Sequence, residues 1–279
     1  MPEGTIHLAW GAATDRGLRR TANEDSFLAE PPLFLVADGM GGHDAGAAAS
    51  NAALSAFVGL IGHGPAQVSD VEAAVEAATL AVGALHAPGS APGTTLSGAV
   101  LSAYQGYEYW LIINIGDSRT YRLSAGRLEQ VSIDHSAVQE LVDRGQLDPA
   151  DVERHPHRNV VTRAVGAGST GIPDFWLLPV EDGDRLIVCS DGLTKEVPLD
   201  EMTQILRQEP SPQGAATRLV HSALVHGGSD NVTVVVVDAH GGIDADDDPT
   251  APRVEDGIDD EIDEATHPST LKRNGARTC

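Results

Sequence analysis

A chain of 279 residues with a formal net charge of −23 can bury a large core, but it repels the phosphates of nucleic acid and of an anionic membrane surface. Hydrophobic residues make up 41% and aromatic residues only 4%, so the core must rest on Ala, Val, Leu and Ile. Two cysteines rule out a disulfide framework, no apolar run approaches the roughly 20 residues needed to span a bilayer, and the N-terminus lacks a signal pattern, which together point to the cytoplasm.

Residues 5–14 alternate as a first strand, followed by a polar stretch containing Arg16, Arg19, Arg20, Asn23, Glu24 and Asp25. Residues 33–37 form a short apolar run of the buried-strand type. Ala45 to Leu60 is an alanine-rich helix closed by Gly62-His63-Gly64-Pro65. A second helix is predicted over Val71 to Leu85, with Ser69 or Asp70 as its N-cap. Short strands follow at 94–101, 109–115, 119–123 and 128–132, and Ser124-Ala125-Gly126 turns an antiparallel hairpin. From Asp134 to Asn159 the pattern becomes polar and helical, as in an inserted flap. Strands resume at 160–164, 175–180 and 185–190, with Glu181-Asp182-Gly183-Asp184 as a tight hairpin loop. Helices near 198–207 and 211–225 precede a last strand at 232–238. The order does not alternate as doubly wound folds do; it fits an α+β body of antiparallel sheets covered by helices. Residues 5–240 read as one domain. Residues 241–279, dominated at first by Asp and Glu, read as an acidic, disordered tail.

Four of the apolar runs carry an aspartate at one end. Leu33 to Ala37 ends in Asp38-Gly39, and Leu111 to Ile115 ends in Gly116-Asp117. Leu186 to Ser190 ends in Asp191-Gly192, and Asp230-Asn231 opens Val232 to Val237. Desolvating an unpaired carboxylate costs several kcal/mol. One such residue is a turn or a cap; four, on separate strands, suggest oxygen ligands converging on hard divalent cations. The flanking glycines let a backbone carbonyl come close as well. Glu24 and Asp25 have a plainer reading as ion-pair partners of the neighbouring arginines. His135, His155 and His157 lack a partner cysteine or a second histidine four residues away, so they read as surface or capping residues rather than a zinc site. Cys189, inside an apolar run, reads as a small core residue.

The run Thr14-Asp15-Arg16-Gly17-Leu18-Arg19-Arg20-Thr21-Ala22-Asn23-Glu24-Asp25-Ser26 resembles the opening motif of the metal-dependent protein phosphatases, the type 2C or PPM family. So do Val36-Ala37-Asp38-Gly39-Met40-Gly41-Gly42-His43, Gly116-Asp117-Ser118-Arg119, Val161-Thr162-Arg163-Ala164-Val165-Gly166, Cys189-Ser190-Asp191-Gly192-Leu193 and Asp230-Asn231-Val232-Thr233, in the family's order and in its bacterial form. The resemblance implies a four-layer αββα sandwich with a flap near 134–159. It implies two tightly bound Mn²⁺ or Mg²⁺ ions and a third, weaker one. Asp38 would bridge the pair, Asp191 and Asp230 would complete one site, the Gly39 carbonyl would serve the other, and Glu24 would stand nearby through water. Asp117 with Asp191 would form the third site, and Arg20 would hold the substrate phosphate. Arg20 and Asp38 are thus the expected catalytic residues, with a hydroxide between the metals attacking phosphorus.

Animal members carry a histidine after the Asp-Gly pair; here Met40 stands there, leaving a metal-bound water or His43 as the proton source. The implied partners are phosphorylated proteins, among them a serine/threonine kinase and its substrates. Two alternatives are a phosphatase restricted to a regulator of the anti-sigma kind and an inactive phosphoprotein-binding scaffold. Arg20 and the flap favour the broader enzyme over the first, and the full set of carboxylates counts against the second. Deleting 241–279 is expected to leave turnover of a short phosphopeptide unchanged in a steady-state assay, and a large drop would contradict the reading of a disordered tail.

Overall fold

The computed structural model describes residues 6–42, 44–86, 91–104, 107–169 and 171–241. Strand alternation decides its layers. In β3 (Leu33–Met40), Leu33, Leu35 and Ala37 face one core while Phe34 and Val36 face another, because successive strand side chains point to opposite sides. This strand lies in a sheet with β2 (Asp25–Glu30), β4 (Gly93–Thr94), β5 (Leu96–Tyr104), β6 (Tyr107–Ile115), β9 (Val165–Gly166) and β10 (Asp174–Pro179). Its order is β10-β6-β5-β3-β4-β9, with β2 also paired to β3. The second sheet runs β1-β12-β11-β7-β8, built from β1 (His7–Asp15), β7 (Arg119–Ser124), β8 (Arg127–Gln130), β11 (Arg185–Cys189) and β12 (Val232–His240). The pairings in both are antiparallel.

Between the sheets, Phe34, Val36, Trp110 and Ile112 meet Leu186, Val188, Val235 and Val237. Burying each such side chain is worth about 1.5–3 kcal/mol, and the edge-on contact of Phe34 with Trp110, centroids 6.2 Å apart, adds to it. On the outer face of the first sheet, α1 (Asp44–Ser55) and α2 (Val68–Gly83) pack Ala49, Ala53, Val71 and Ala78 onto Leu33, Leu35 and Ile113. On the outer face of the second, α5 (Leu199–Gln208) and α6 (Pro212–His226) pack Leu206 and Leu219 onto Ile187, Val234 and Val236. The αββα sandwich is therefore present. Among the described residues no helix is long and apolar enough to cross a membrane.

Several local expectations are corrected. The polar stretch before residue 30 hides β2, which pairs with β3 from Asp25–Asp38 to Glu30–Leu33; tertiary pairing rather than local pattern makes it a strand. The first helix ends at Ser55, and Val58–Leu60 is a separate 3-10 turn. The second begins at Val68 with Gln67 as its cap, and Asp70 closes the capping box from the third helical position. Residues 160–164 do not form a strand: Val161 makes only an isolated bridge to Ser136, and the strand is β9. Glu181 to Asp184 is a turn but not a hairpin, since β10 pairs with β6 and β11 with β7 and β12. It carries the chain from one sheet to the other. The turn at Ala125 and Gly126, with φ of 47° and 76°, does join β7 to β8. The flap contains α3 (Ala137–Asp143) and a 3-10 turn, Pro149–Arg154. Apart from Gly241, the tail lies outside the described residues.

Phe34→Ala is expected to lower the unfolding free energy by about 3–5 kcal/mol, read from urea denaturation followed by tryptophan fluorescence.

Candidate active site

The two sheets deliver their acidic ends to a single cleft. The register of β2 against β3 puts Asp25 opposite Asp38. Asp38 is pinned through its backbone: its N–H donates to Thr95 Oγ1 at 2.9 Å, and its carbonyl accepts from Thr95 N–H and Thr94 Oγ1, each at 2.9 Å. Asp117 lies where the chain passes from β6 in one sheet to β7 in the other. Asp191 opens the short α4 (Asp191–Thr194) directly after β11, and Asp230 stands just before β12. A cleft of about 610 Å³ is lined by Arg20, Glu24, Asp38, Gly39, Asp117, Asp191 and Asp230. The structure thus brings every site residue expected from the sequence to one place.

Close backbone approach holds this edge together. A Cβ on Gly39 would collide with the carbonyls of Gly46 and Glu24, so only glycine lets α1 sit against the end of β3. The loop bearing Arg20 is stitched to β12 by Asn231. Its Nδ2 donates to the carbonyls of Arg16 and Ala22 at 2.9 Å each, and its Oδ1 accepts from Glu24 N–H at 2.9 Å.

Burial is the largest influence on these carboxyls and pushes most of them up. The pKa of Asp38 is raised well above its ordinary value by desolvation, reinforced by repulsion from Asp25, Asp191, Asp117 and Asp230. Asp25 and Asp117 are each raised to about 7 by burial first, with neighbouring carboxylates adding to it; for Asp25 the hydrogen bonds from Thr233 and Ser190 oppose the rise. Asp191 is raised by burial, although Lys195 opposes the shift. For Asp230 burial works in the same direction, but Lys195 and Arg20 together outweigh it and hold the group below its ordinary value. The contacts are direct: Lys195 Nζ lies 2.5 Å from Asp191 Oδ2 and 3.1 Å from Asp230 Oδ2, and Arg20 Nη2 lies 2.8 Å from Asp230 Oδ1.

This residue set fits divalent cations. Asp25 Oδ1 and Asp191 Oδ1 are buried with no hydrogen-bond partner among the described residues, which is costly unless a cation meets them. Among those residues no three His, Cys, Asp or Glu side chains are drawn close enough to grip one ion unaided. Manganese and magnesium keep several waters, so carboxylates spaced around a cleft suit them better than the closed tetrahedron zinc requires.

Sequence reasoning missed two residues here. Among the described residues Asp25 pairs with no arginine; its Oδ2 accepts from Ser190 Oγ and Thr233 Oγ1, both at 2.8 Å. Its register opposite Asp38 was the missing signal, and β2 had not been anticipated. Lys195 carries no motif, and only the single helical turn of α4 brings it back over Asp191. His135 is neither a surface nor a capping residue but buried, whereas His155 caps its 3-10 turn and His157 is exposed. Met40 lines the cleft; His43 lies outside the described residues.

The family model of protein phosphatase 2C matches residues 19–222. The chain belongs to the protein phosphatase 2C family. It is 38% identical over 275 residues to the serine/threonine protein phosphatase PstP of Mycobacterium tuberculosis, an alignment covering 97% of this chain and 52% of PstP. The chain thus spans about half the length of that curated relative. It is 35% identical over 239 residues to the serine/threonine phosphatase stp of Listeria welshimeri, covering 81% of this chain and 93% of stp. The crystal structure of the M. tuberculosis phosphatase PstP/Ppp superposes with a TM-score of 0.77 at 37% identity, covering 84% of this chain and 99% of that one. A structure of the PstP catalytic domain in complex with two manganese ions gives 0.76 at 36% identity, over 85% of this chain and 100% of that one.

Asn231→Ala removes an acceptor from the Glu24 amide and a donor from two loop carbonyls. It is expected to cost about 1–3 kcal/mol of stability and to speed hydrogen exchange at Glu24, measured by denaturation and by amide exchange.

Proposed function

We propose that this protein hydrolyses phosphoserine and phosphothreonine on proteins with the help of Mn²⁺ or Mg²⁺. The observation that carries the reading is the gathering of Glu24, Asp38, Asp117, Asp191 and Asp230 around one open cleft, with Arg20 at its rim. A phosphomonoester dianion repels an anionic nucleophile, and a cleft of bare carboxylates would only add to that repulsion. Manganese or magnesium, when bound, neutralises both charges and lowers the pKa of a water. Asp38, Asp191 and Asp230 would hold one ion; Asp38 and the Gly39 carbonyl, with Glu24 nearby, would hold a second; Asp117 and Asp191 would hold a weaker third.

The chain's own residues supply binding and orientation. Arg20 is 53% exposed and, among the described residues, its guanidinium is tethered at Asp230, so its planar fork can turn to two phosphate oxygens, a geometry a lysine point charge cannot match. Lys195 lies against both Asp191 and Asp230, opposing the rise that burial imposes on Asp191 and, with Arg20, holding Asp230 below its ordinary value. Asp25, hydrogen-bonded to Ser190 and Thr233 of the opposite sheet, fixes the spacing between Asp38 and the strands that carry Asp191 and Asp230. Met40 has no proton to give to the departing serine or threonine oxygen, which leaves a water in the cleft or His43 as its source.

Relatives named serine/threonine phosphatases support phosphorylated proteins as partners, a serine/threonine kinase and its substrates among them. On this reading the enzyme opposes kinase signalling in the cytoplasm. The scaffold alternative is disfavoured by the intact carboxylate set.

Asp38→Asn should abolish hydrolysis of a phosphothreonine peptide while leaving the circular dichroism spectrum unchanged; full activity in that variant would remove the metal-bridging role. The unmodified protein should turn over phosphoserine and phosphothreonine peptides with Mn²⁺ or Mg²⁺ and not with a chelator. Peptide binding without turnover under every metal condition would favour the scaffold instead.

A further inference from the structure

His135 is a buried polar side chain that the chemistry above does not use. It is 4% exposed and stands at the first foot of the flap, yet its ring points back to the loop that carries Asp117. Nδ1 accepts from the Gly116 N–H at 3.2 Å, and Nε2 lies 3.1 Å from Asp174 Oδ2 on β10. Its backbone N–H donates to the Gly116 carbonyl at 2.8 Å, and its carbonyl accepts from Thr162 N–H, at the second foot of the flap, at 2.8 Å. Two residues on there is a further tie, with Ala137 N–H donating to Val160 O at 2.8 Å. The preceding one, Asp134, receives the Arg119 guanidinium, Nε at 3.0 Å from both oxygens and Nη2 at 2.7 Å from Oδ2. Asp117 is therefore held on both sides, at Gly116 and at Arg119, by two consecutive residues from the base of the flap.

The ring's protonation pattern follows from its partners. A backbone N–H can only donate, so Nδ1 must present its lone pair to Gly116, and the proton must sit on Nε2, facing Asp174. Asp174 is suited to receive it: the hydrogen bond from His135, joined by Arg163 at 3.0 Å, holds its carboxyl down at about 2. Asp174 thus selects the tautomer, and the tautomer decides whether Gly116 has an acceptor.

We propose that His135 is a positioning residue, which sets the Asp117 loop and both feet of the flap as one unit through its Nε2–H tautomer fixed by Asp174. The consequence for turnover rests on the reading of Asp117 as a ligand of the weaker ion, while the coupling itself does not. Groups of this kind, lying behind the residues that meet a metal, change metal affinity or activity by about 10–100-fold when removed.

The test uses the full chain and compares Asp174→Ala with Asp174→Asn. Asn keeps a carbonyl oxygen for the Nε2–H; Ala leaves nothing, and the proton is then free to move to Nδ1, where it faces the Gly116 N–H. Long-range ¹H–¹⁵N spectra should show the neutral Nε2–H tautomer in the unmodified protein. Asp174→Ala should accelerate exchange of the Gly116 amide at least about tenfold and raise the half-activating Mn²⁺ concentration about tenfold, with a matching loss in calorimetric Mn²⁺ titration. Asp174→Asn should preserve the Gly116 protection. His135→Gln, which reaches Asp174 but leaves Gly116 without its acceptor, should resemble Asp174→Ala.

An Nδ1–H tautomer in the unmodified protein, or equal Gly116 exchange in the two Asp174 variants, would overturn the proposal. Asp117→Ala is measured in parallel. If it raises the Mn²⁺ requirement and Asp174→Ala does not, the positioning role fails. If Asp117→Ala itself leaves the requirement untouched, the metal reading of Asp117 is what has failed, and the Gly116 exchange alone decides the coupling.

Discussion

Mutual repulsion among buried carboxylates is the constraint around which this molecule is arranged. Asp25, Asp38, Asp117 and Asp191 are withdrawn from water at strand ends and face one another. Each alone costs free energy; together they cost more, and among the described residues no nearby set of side chains cancels them. Lys195 and Arg20 relieve only the side of the cleft where Asp191 and Asp230 stand. A site strained in this way persists only because the surrounding structure over-determines it, and here that structure is a continuous apolar layer between two sheets.

The double sheet does more than supply stability. Asp38 and Asp25 belong to one sheet and Asp191 and Asp230 adjoin strands of the other, with Asp117 at a crossing between them. The distances within the cleft are therefore set by how the sheets pack. Polar ties reinforce that spacing at the cleft end: Asp25 to Ser190 and Thr233, Thr95 Oγ1 to Ser118 Oγ at 2.7 Å, and Ser97 Oγ to Thr120 Oγ1 at 3.1 Å. A change in the inter-sheet core should reach the chemistry through these ties, because close-packed interiors transmit small displacements.

The flap is anchored differently. Its middle is polar and largely exposed, and its order comes from its feet, where Asp134, His135, Val160 and Thr162 tie to the Asp117 loop or to each other. The flap and the loop of Asp117 thus share hydrogen bonds, so a displacement of one is transmitted to the other.

Much of this was legible in the amino-acid order. Alternation in residues 5–14, the apolar runs at 33–37 and 232–238, the helices near 198 and 211, and aspartates at the ends of apolar runs are local patterns with local causes, so the layers and most of the acidic cluster could be read directly. Other features were not local. Whether Glu181 to Asp184 closes a hairpin or crosses between sheets depends on which strand each neighbour meets, and the turn looks the same in both cases. β2 exists because β3 offers it an edge, Asp25 matters because that pairing places it opposite Asp38, and His135 is buried because the flap folds back on Gly116. Sequence alone determined which groups were available and which segments had to be buried, since propensity and periodicity act over a few residues. Only the tertiary structure decided which distant groups would face one another, because that depends on strand order and sheet packing.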